Sequence, residues 1–405
     1  MAERPRHEVA EIFERYQRCL GSEWQRSGPP WSWEQRAVVE RITACRTARL
    51  GGHIDACDAC GHQRVSYNSC RNRHCPKCQG SAQVAWLEAR QADVLPVPYA
   101  HVVFTIPQML APLALQNPSL VYDLLLRSSA RTLQEIARNP KHLGARLGFF
   151  AILHTWGQTL IHHPHVHCVV PAGGLSEDAR TWRACRPGFF LPVRVLSRLF
   201  RGKFVAALHE AFRDGRLELY GRLARYRSSS AFGRLLHEAC RTEWVVYAKP
   251  PFERPEFVIE YLAHYTHRIA ISNHRLLHVD DEAVTLRYKD YRSRRSRSLT
   301  LPLGEFTRRF LLHVLPKGFV RIRHYGFLAN GCRARLLSRC RGALGQSQDT
   351  HVERASGRTE DNAPFLELLP QSLRLCPRCG LGPMRCIEVL GRPPPRHHGS
   401  CSVAA

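Results

Sequence analysis

The stretch LIHHPHVHCVVPAGGL, Leu160 to Leu175, sets four histidines within six residues and then runs into apolar sequence. On a strand, successive side chains point to opposite faces, so His165 and His167 share one face with Val169, while Val166, Cys168 and Val170 share the other. A single histidine there would read as a hydrogen-bonded core residue. The His-Val-His pair, with His162 and His163 just upstream, reads instead as two imidazoles ready to chelate one ion. With two histidines and one further ligand, such a site keeps positions open for a substrate phosphate and for water, which is the catalytic type of metal centre. An exchangeable, oxygen-tolerant ion is expected, Mg²⁺ or Mn²⁺.

Outward from this strand, short apolar runs alternate with helical patterns. YAHVVFTIP and LGFFAILHTWG read as strands around a helix at SLVYDLLLRSSARTLQEIAR. Leu196, Leu199, Phe200, Phe204, Leu208 and Phe212 mark a long amphipathic helix, EWVVYAKPPF a further strand, and a helix is expected from near Pro255. VTLRYKDYRSRRSRSLTLPL reads as a basic hairpin and GEFTRRFLLHVLP as a short helix, while residues 8–48 read as two helices. The fold class is therefore mixed, α+β.

Composition bounds the partners. The 405 residues carry 59 Lys+Arg against 34 Asp+Glu, a formal charge of +25, which favours nucleic acid over other polyanions. No apolar run approaches the ~18 residues of a membrane helix, and MAERPRHEVAEIFERYQ lacks the apolar core of a secretory signal, so the expected location is the cytoplasm, with no membrane partner. Sixteen cysteines in such a chain point to metal rather than disulfides. In CDACGHQRVSYNSCRNRHCPKCQ, Cys57 and Cys60 pair with Cys75 and Cys78 as the expected Zn²⁺ tetrad of a ribbon. Cys45, His53, His62, Cys70 and His74 are left over to replace a ligand or to hold a second ion. Arg71, Arg73 and Lys77 lie among the ligands and would offer cations to phosphates. The polar tail has one knuckle, Cys376-x-x-Cys379, with Cys386, His397, His398 and Cys401 scattered after it, which argues against a further zinc there.

About a hundred residues beyond the histidines lies EFVIEYLAHYTHRIAISNHRL. On a helix, Tyr261 and Tyr265 fall one turn apart on one face, with His264 and Arg268 alongside. Paired tyrosines alone are usually packing. Beside a histidine metal pair and a strong positive charge, they suit strand transfer, because a phosphotyrosine ester conserves the energy of the broken bond for a later 3′-hydroxyl. In YKDYRSRRSRS, Arg292, Arg294, Arg295 and Arg297 beside Tyr288 and Tyr291 suit a single-stranded groove, in which cations follow phosphates and rings stack on bases. Arg308, Arg309, Lys317, Arg321 and Arg323 extend that basic track.

The block CRNRHCPKCQ, the strand HPHVHCVVPAGGL and the helix YLAHYTHRIAISNHRL, in that order, resemble the HUH transposases of the rolling-circle insertion-sequence class. The resemblance covers roughly residues 8–340. It implies an N-terminal helical and zinc-ribbon domain followed by an HUH endonuclease domain with a central antiparallel sheet flanked by helices, the histidine pair on a central strand. It also implies a transposase that nicks and rejoins single-stranded transposon ends through a 5′-phosphotyrosine, with His165 and His167 as metal ligands and Tyr261 and Tyr265 as nucleophiles. HUH enzymes use a third ligand, for which Gln158 and His264 are the candidates. The expected division is a zinc-binding, DNA-binding domain at 1–95, a catalytic domain at 96–275, a basic DNA-binding extension at 276–341, and a polar linker with a cysteine-containing tail at 342–405. The competing readings are a non-catalytic zinc-dependent DNA-binding relative and a His-x-His metallohydrolase acting on a small molecule. The second needs additional His and Asp ligands and leaves the charge unexplained.

Overall fold

Two helices open the chain, α1 (Val9–Ser27) and α2 (Trp33–Ala44), the latter started by a capping box in which the Ser32 hydroxyl accepts from the Gln35 amide and the Gln35 side chain accepts from that of Ser32. The computed structural model describes residues 5–27, 31–91, 93–188, 190–252, 269–290, 293, 295–345 and 375–393. Strands β1 (Gly52–Cys57) and β2 (Gln63–Tyr67) form a hairpin across the cysteine block, and α3 (Gln79–Gln91) leads out of it.

Next come β3 (Tyr99–Thr105), α4 (Ala111–Gln116), α5 (Pro118–Arg138), β4 (Gly148–Trp156) and β5 (His162–Pro171), the last carrying the histidines. A small hairpin, β6 (Gly173–Leu175) and β7 (Trp182–Ala184), precedes α6 (Val193–Arg213), α7 (Ser229–Arg241) and β8 (Val246–Phe252). After Ile269 come β9 (Leu276–Val279), β10 (Ala283–Lys289) and β11 (Ser296–Pro302), an antiparallel sheet that includes the expected basic hairpin, followed by α8 (Leu303–Leu311). Then follow β12 (Ile322–Gly326), α9 (Arg333–Ala343) and β13 (Met384–Leu390).

The central sheet has the order β12-β4-β5-β3-β8, with every neighbouring pair antiparallel. The expected α+β class and central antiparallel sheet are what the chain forms. Along β5 the two faces have different fates. Val166, Cys168 and Val170 join the main core with Phe104, Tyr122, Phe200 and Phe204, under α5 and α6. Val169 joins a smaller cluster with Phe150, Ile152, Leu336 and Leu337, under α9. That apolar cover ends at Ile152 and Val169, and farther along the same face come the imidazoles. The alternation expected for His165, His167 and Val169 therefore holds.

Two expectations need correction. The segment 276–341 is not an appended basic arm, because β12 is the edge strand of the central sheet and α9 covers its second face. Several of its basic residues are also turned to internal partners: Arg321 is buried, Arg323 of β12 pairs with Asp123 at 2.6 Å, and Arg309 of α8 pairs with Glu305 one turn away at 2.6 Å. Residues 375–393 are not a loose tail either, because β13 pairs with β1 from Gly52↔Leu390 to Cys57↔Met384.

His162, opposite in face to His165, is a core histidine. Its Nε2 lies 2.8 Å from the Tyr122 hydroxyl, and its ring stacks on that of His313. The His313 Nε2–H donates to Leu160 O, and Nδ1 accepts from the Thr155 hydroxyl, both at 3.1 Å. Burial depresses His162 to about 3 and His313 to about 4. The unfolded chain, with imidazoles titrating near the ordinary ~6.5, then binds more protons than the folded one between those values. Stability is expected to be full above about pH 6.5 and to fall as pH drops toward 4, by up to ~1.4 kcal/mol per pH unit for each ring. Urea denaturation at pH 7 and pH 5 should show the loss, and His313→Gln should reduce its slope; an equal slope in that variant would remove His313 as a cause.

Candidate metal centre and its surroundings

Antiparallel register places His154 of β4 directly across from His165, and Ile152 across from His167. One ring nitrogen from each of His154, His165 and His167 lies within 4.8 Å of the others, a spacing that small ring rotations bring to a shared ion. The rings hold one another, with His154 and His167 centroids 4.3 Å apart and His165 and His167 centroids 4.8 Å apart, and Trp156 stacks on His154 at 4.4 Å.

Hydrogen bonds orient two of the three imidazoles from behind. His165 Nδ1–H donates to His163 O at 2.7 Å, which leaves Nε2 as the nitrogen with a lone pair. His167 Nδ1 lies 2.8 Å from His101 Nε2 on β3, its ring parallel to that of His101. Burial lowers the His165 imidazole to about 4 and holds His167 well below the usual range, His154, His165 and His101 adding to the effect. Both rings are therefore neutral at physiological pH, the form that ligates a metal. Two neutral imidazoles, joined by His154 as a third nitrogen donor and with no carboxylate in the set, fit a divalent ion that leaves its remaining positions to oxygen ligands.

His154 is the third imidazole of the group, and the sequence reading missed it. Gln158, the candidate offered there, lies past the end of β4, where its Oε1 accepts from Lys289 N at 3.4 Å and its carbonyl accepts from the Arg275 guanidinium. The other candidate, His264, lies outside the described residues, as do Tyr261, Tyr265, Arg268, Tyr291, Arg292 and Arg294. Among the other cations singled out, Arg71, Arg295 and Arg297 are exposed, Arg297 near Asp290 at 3.3 Å. Arg73 and Lys77 are turned to internal partners: Arg73 donates to Phe319 O at 2.6 Å and Lys77 pairs with Glu8 at 2.7 Å. Tyr288 packs against the core rather than standing out to stack.

The cysteines also regroup. Cys57 and Cys60 do not share a site with Cys75 and Cys78. Cys75 and Cys78 gather with Cys45 and Cys70, while Cys57 and Cys60 gather with Cys376 and Cys379, each set of sulfurs lying within 4.8 Å. The cause is register: β1 carries Cys57 to the far end of the hairpin, next to β13, whereas Cys45 at the end of α2 faces the Cys70–Cys78 loop. Hydrogen bonds shared with Cys45, Cys70 and Cys75 push the Cys78 thiol well below its usual range. His74, left over in the sequence reading, is not in either set; its Nε2 accepts from Leu315 N at 3.1 Å.

Residues 12–106 match a family described as a transposase zinc-binding domain, and residues 148–335 match one described as a putative transposase. The chain is 52% identical over 383 residues to the putative transposase y4qJ of Sinorhizobium fredii, covering 94% of this chain and 95% of the relative. It is 31% identical over 300 residues to the transposase for insertion sequence element IS801 of Pseudomonas savastanoi pv. phaseolicola, covering 72% of this chain and 70% of the relative. Among solved structures, the metal-free conjugative relaxase TrwC in complex with OriT DNA is similar over 61% of this chain and 72% of that one, at 14% identity and a TM-score of 0.24, too loose a likeness to argue from.

Proposed function

Since the chain belongs to the HUH-type transposases of the IS91 and IS801 class, we propose that it cuts and rejoins single-stranded DNA at the three-histidine centre, using Tyr261 and Tyr265 as nucleophiles. The observation that carries this reading is the convergence of the His154, His165 and His167 imidazoles on neighbouring central strands. A transposase acts on DNA, and a charge of +25 supplies affinity for its phosphates. Support for a single strand comes from burial: His154 and His167 are only 2% and 8% exposed, so a scissile phosphate reaches them as an unpaired strand bent into the sheet face more readily than as part of a stiff duplex.

In the proposed reaction a tyrosine oxygen attacks phosphorus, forming a P–O bond as the bond to the 3′-oxygen breaks; the released strand leaves as a 3′-hydroxyl and the 5′-phosphate stays on the tyrosine. Rejoining is the reverse, with a 3′-hydroxyl attacking and the phenol departing. A divalent ion, Mg²⁺ or Mn²⁺, would supply Lewis acidity to the phosphate oxygens. His165 presents Nε2 because its Nδ1–H is taken by His163 O, and His101 fixes the plane of His167. Zn²⁺ belongs to the zinc-binding domain, where Cys45, Cys70, Cys75 and Cys78 are the residues we assign to it.

Nicking of labelled single-stranded end DNA, with and without Mn²⁺, tests the reading against a DNA-binding relative that has lost its chemistry. A subtler test is His101→Ala. Removing a hydrogen-bond partner behind a metal ligand weakens metal affinity by about 10- to 100-fold. The Mn²⁺ concentration giving half-maximal nicking should rise by that factor while the rate at saturating Mn²⁺ recovers, and an unchanged Mn²⁺ dependence would remove His101 from the centre.

A further inference from the structure

We propose that Cys57, Cys60, Cys376 and Cys379 hold a second structural Zn²⁺, distinct from that of the Cys45 set, which clasps the two ends of the chain into one ribbon. Cys376 and Cys379 lie beyond both matched segments, 12–106 and 148–335, and the inference is independent of the nuclease chemistry.

The sulfur geometry is that of a shared ion. Cys57 Sγ lies 3.7 Å from Cys379 Sγ, and Cys60 Sγ lies 3.7 Å from Cys376 Sγ. Four thiolates about 2.3 Å from a tetrahedral zinc are about 3.8 Å apart. A disulfide would bring a pair to about 2 Å.

The two knuckles repeat one backbone design. CDACG and CPRCG each end in a glycine in the left-handed region, Gly61 at φ 66° and Gly380 at φ 68°. Gly61 N donates to Cys57 O at 3.0 Å, and Gly380 N donates to Cys376 O at 2.8 Å. In each turn an amide also meets the first sulfur, Ala59 N to Cys57 Sγ and Arg378 N to Cys376 Sγ, both at 3.4 Å. One knuckle offers two thiolates, so a closed tetrathiolate site needs both. Close approach is built in, since a Cβ on Gly382 would stand 2.7 Å from Cys57 Sγ.

The ribbon also has little else to hold it. Its apolar cluster is Cys57, Cys376 and Met384 with Cys379 against them, while Leu381 and Val389 are 80% and 79% exposed. A three-stranded sheet over so small a core needs a metal to order it. The zinc thus decides whether β13 stays on β1.

Elemental analysis of the full chain, with His154, His165 and His167 replaced by alanine so that only thiolate sites are counted, should find two zincs. Cys376→Ser with Cys379→Ser should leave one; Cys57→Ser with Cys60→Ser should also leave one; all four changes together should still leave one. Two zincs surviving the Cys376 and Cys379 changes, or none left after all four, would overturn the shared site. Against the chance that a variant misfolds, alkylation of the unaltered protein reads the same question. Cys376 and Cys379 should be protected together with Cys57 and Cys60, and the four should become reactive together on chelation. Alkylation of Cys376 and Cys379 as fast as that of the exposed Cys386 would count against the proposal.

Discussion

His154→Ala is expected to lower single-strand nicking by about a thousandfold, with binding of the same DNA nearly unchanged. His154 supplies one of three imidazoles, and the two remaining nitrogens would hold a divalent ion more loosely. The charge stabilisation that a metal gives a scissile phosphate is worth several kcal/mol, and each ~1.4 kcal/mol is a factor of ten in rate, so losing about 4 kcal/mol gives the stated fall. Binding of DNA by a chain of charge +25 is expected to rest on many phosphate contacts rather than on one ion. Gln158→Ala is the matching control, since its amide side chain meets the Lys289 main chain, and its nicking should stay within several-fold of the unaltered protein. Nicking by His154→Ala within several-fold of that of the unaltered protein, at limiting Mn²⁺, would remove the residue from the centre.

The second large effect concerns the tyrosines. Moving a strand from donor to target needs two cleavages, and in the proposed mechanism two nucleophiles would let both be made without releasing the first end. Four residues apart on a helix, the two phenols would stand one turn from each other, close enough to reach the same phosphate in turn. Tyr261→Phe and Tyr265→Phe are each expected to retain some nicking of a single-stranded end. The double change should lose all detectable nicking and all covalent adduct, with zinc content and melting temperature kept. Residual nicking in the double variant equal to that of either single one would show that another group attacks.

Strand period made β5 legible: His165, His167 and Val169 lie on the face that the alternation requires, and the helices at Pro118–Arg138 and Val193–Arg213 fall where apolar spacing put them. His154 was not legible, because it becomes a neighbour of His165 only through the register between β4 and β5, and LGFFAILHTWG read alone offers one ordinary core histidine. The signal was parity, since a histidine near the end of an adjacent antiparallel strand falls on the same face once the pairing is known. The cysteine grouping failed for a similar reason. Local spacing joined Cys57 and Cys60 to Cys75 and Cys78, while the fold brings a partner pair from more than three hundred residues away. β12 was hidden by composition: Arg321 just before it and Arg323 within it read as part of a DNA track, although Arg321 is buried and Arg323 pairs with Asp123.

Strand transfer through tyrosine is tested most directly by trapping the covalent complex formed with a single-stranded end substrate and mapping it by mass spectrometry. A 5′-phosphate on Tyr261 or Tyr265, with its yield lost in His154→Ala at limiting Mn²⁺, is the expected result. A 5′-phosphate linked to any other residue, or strand cleavage that proceeds with no protein-linked intermediate, would contradict it.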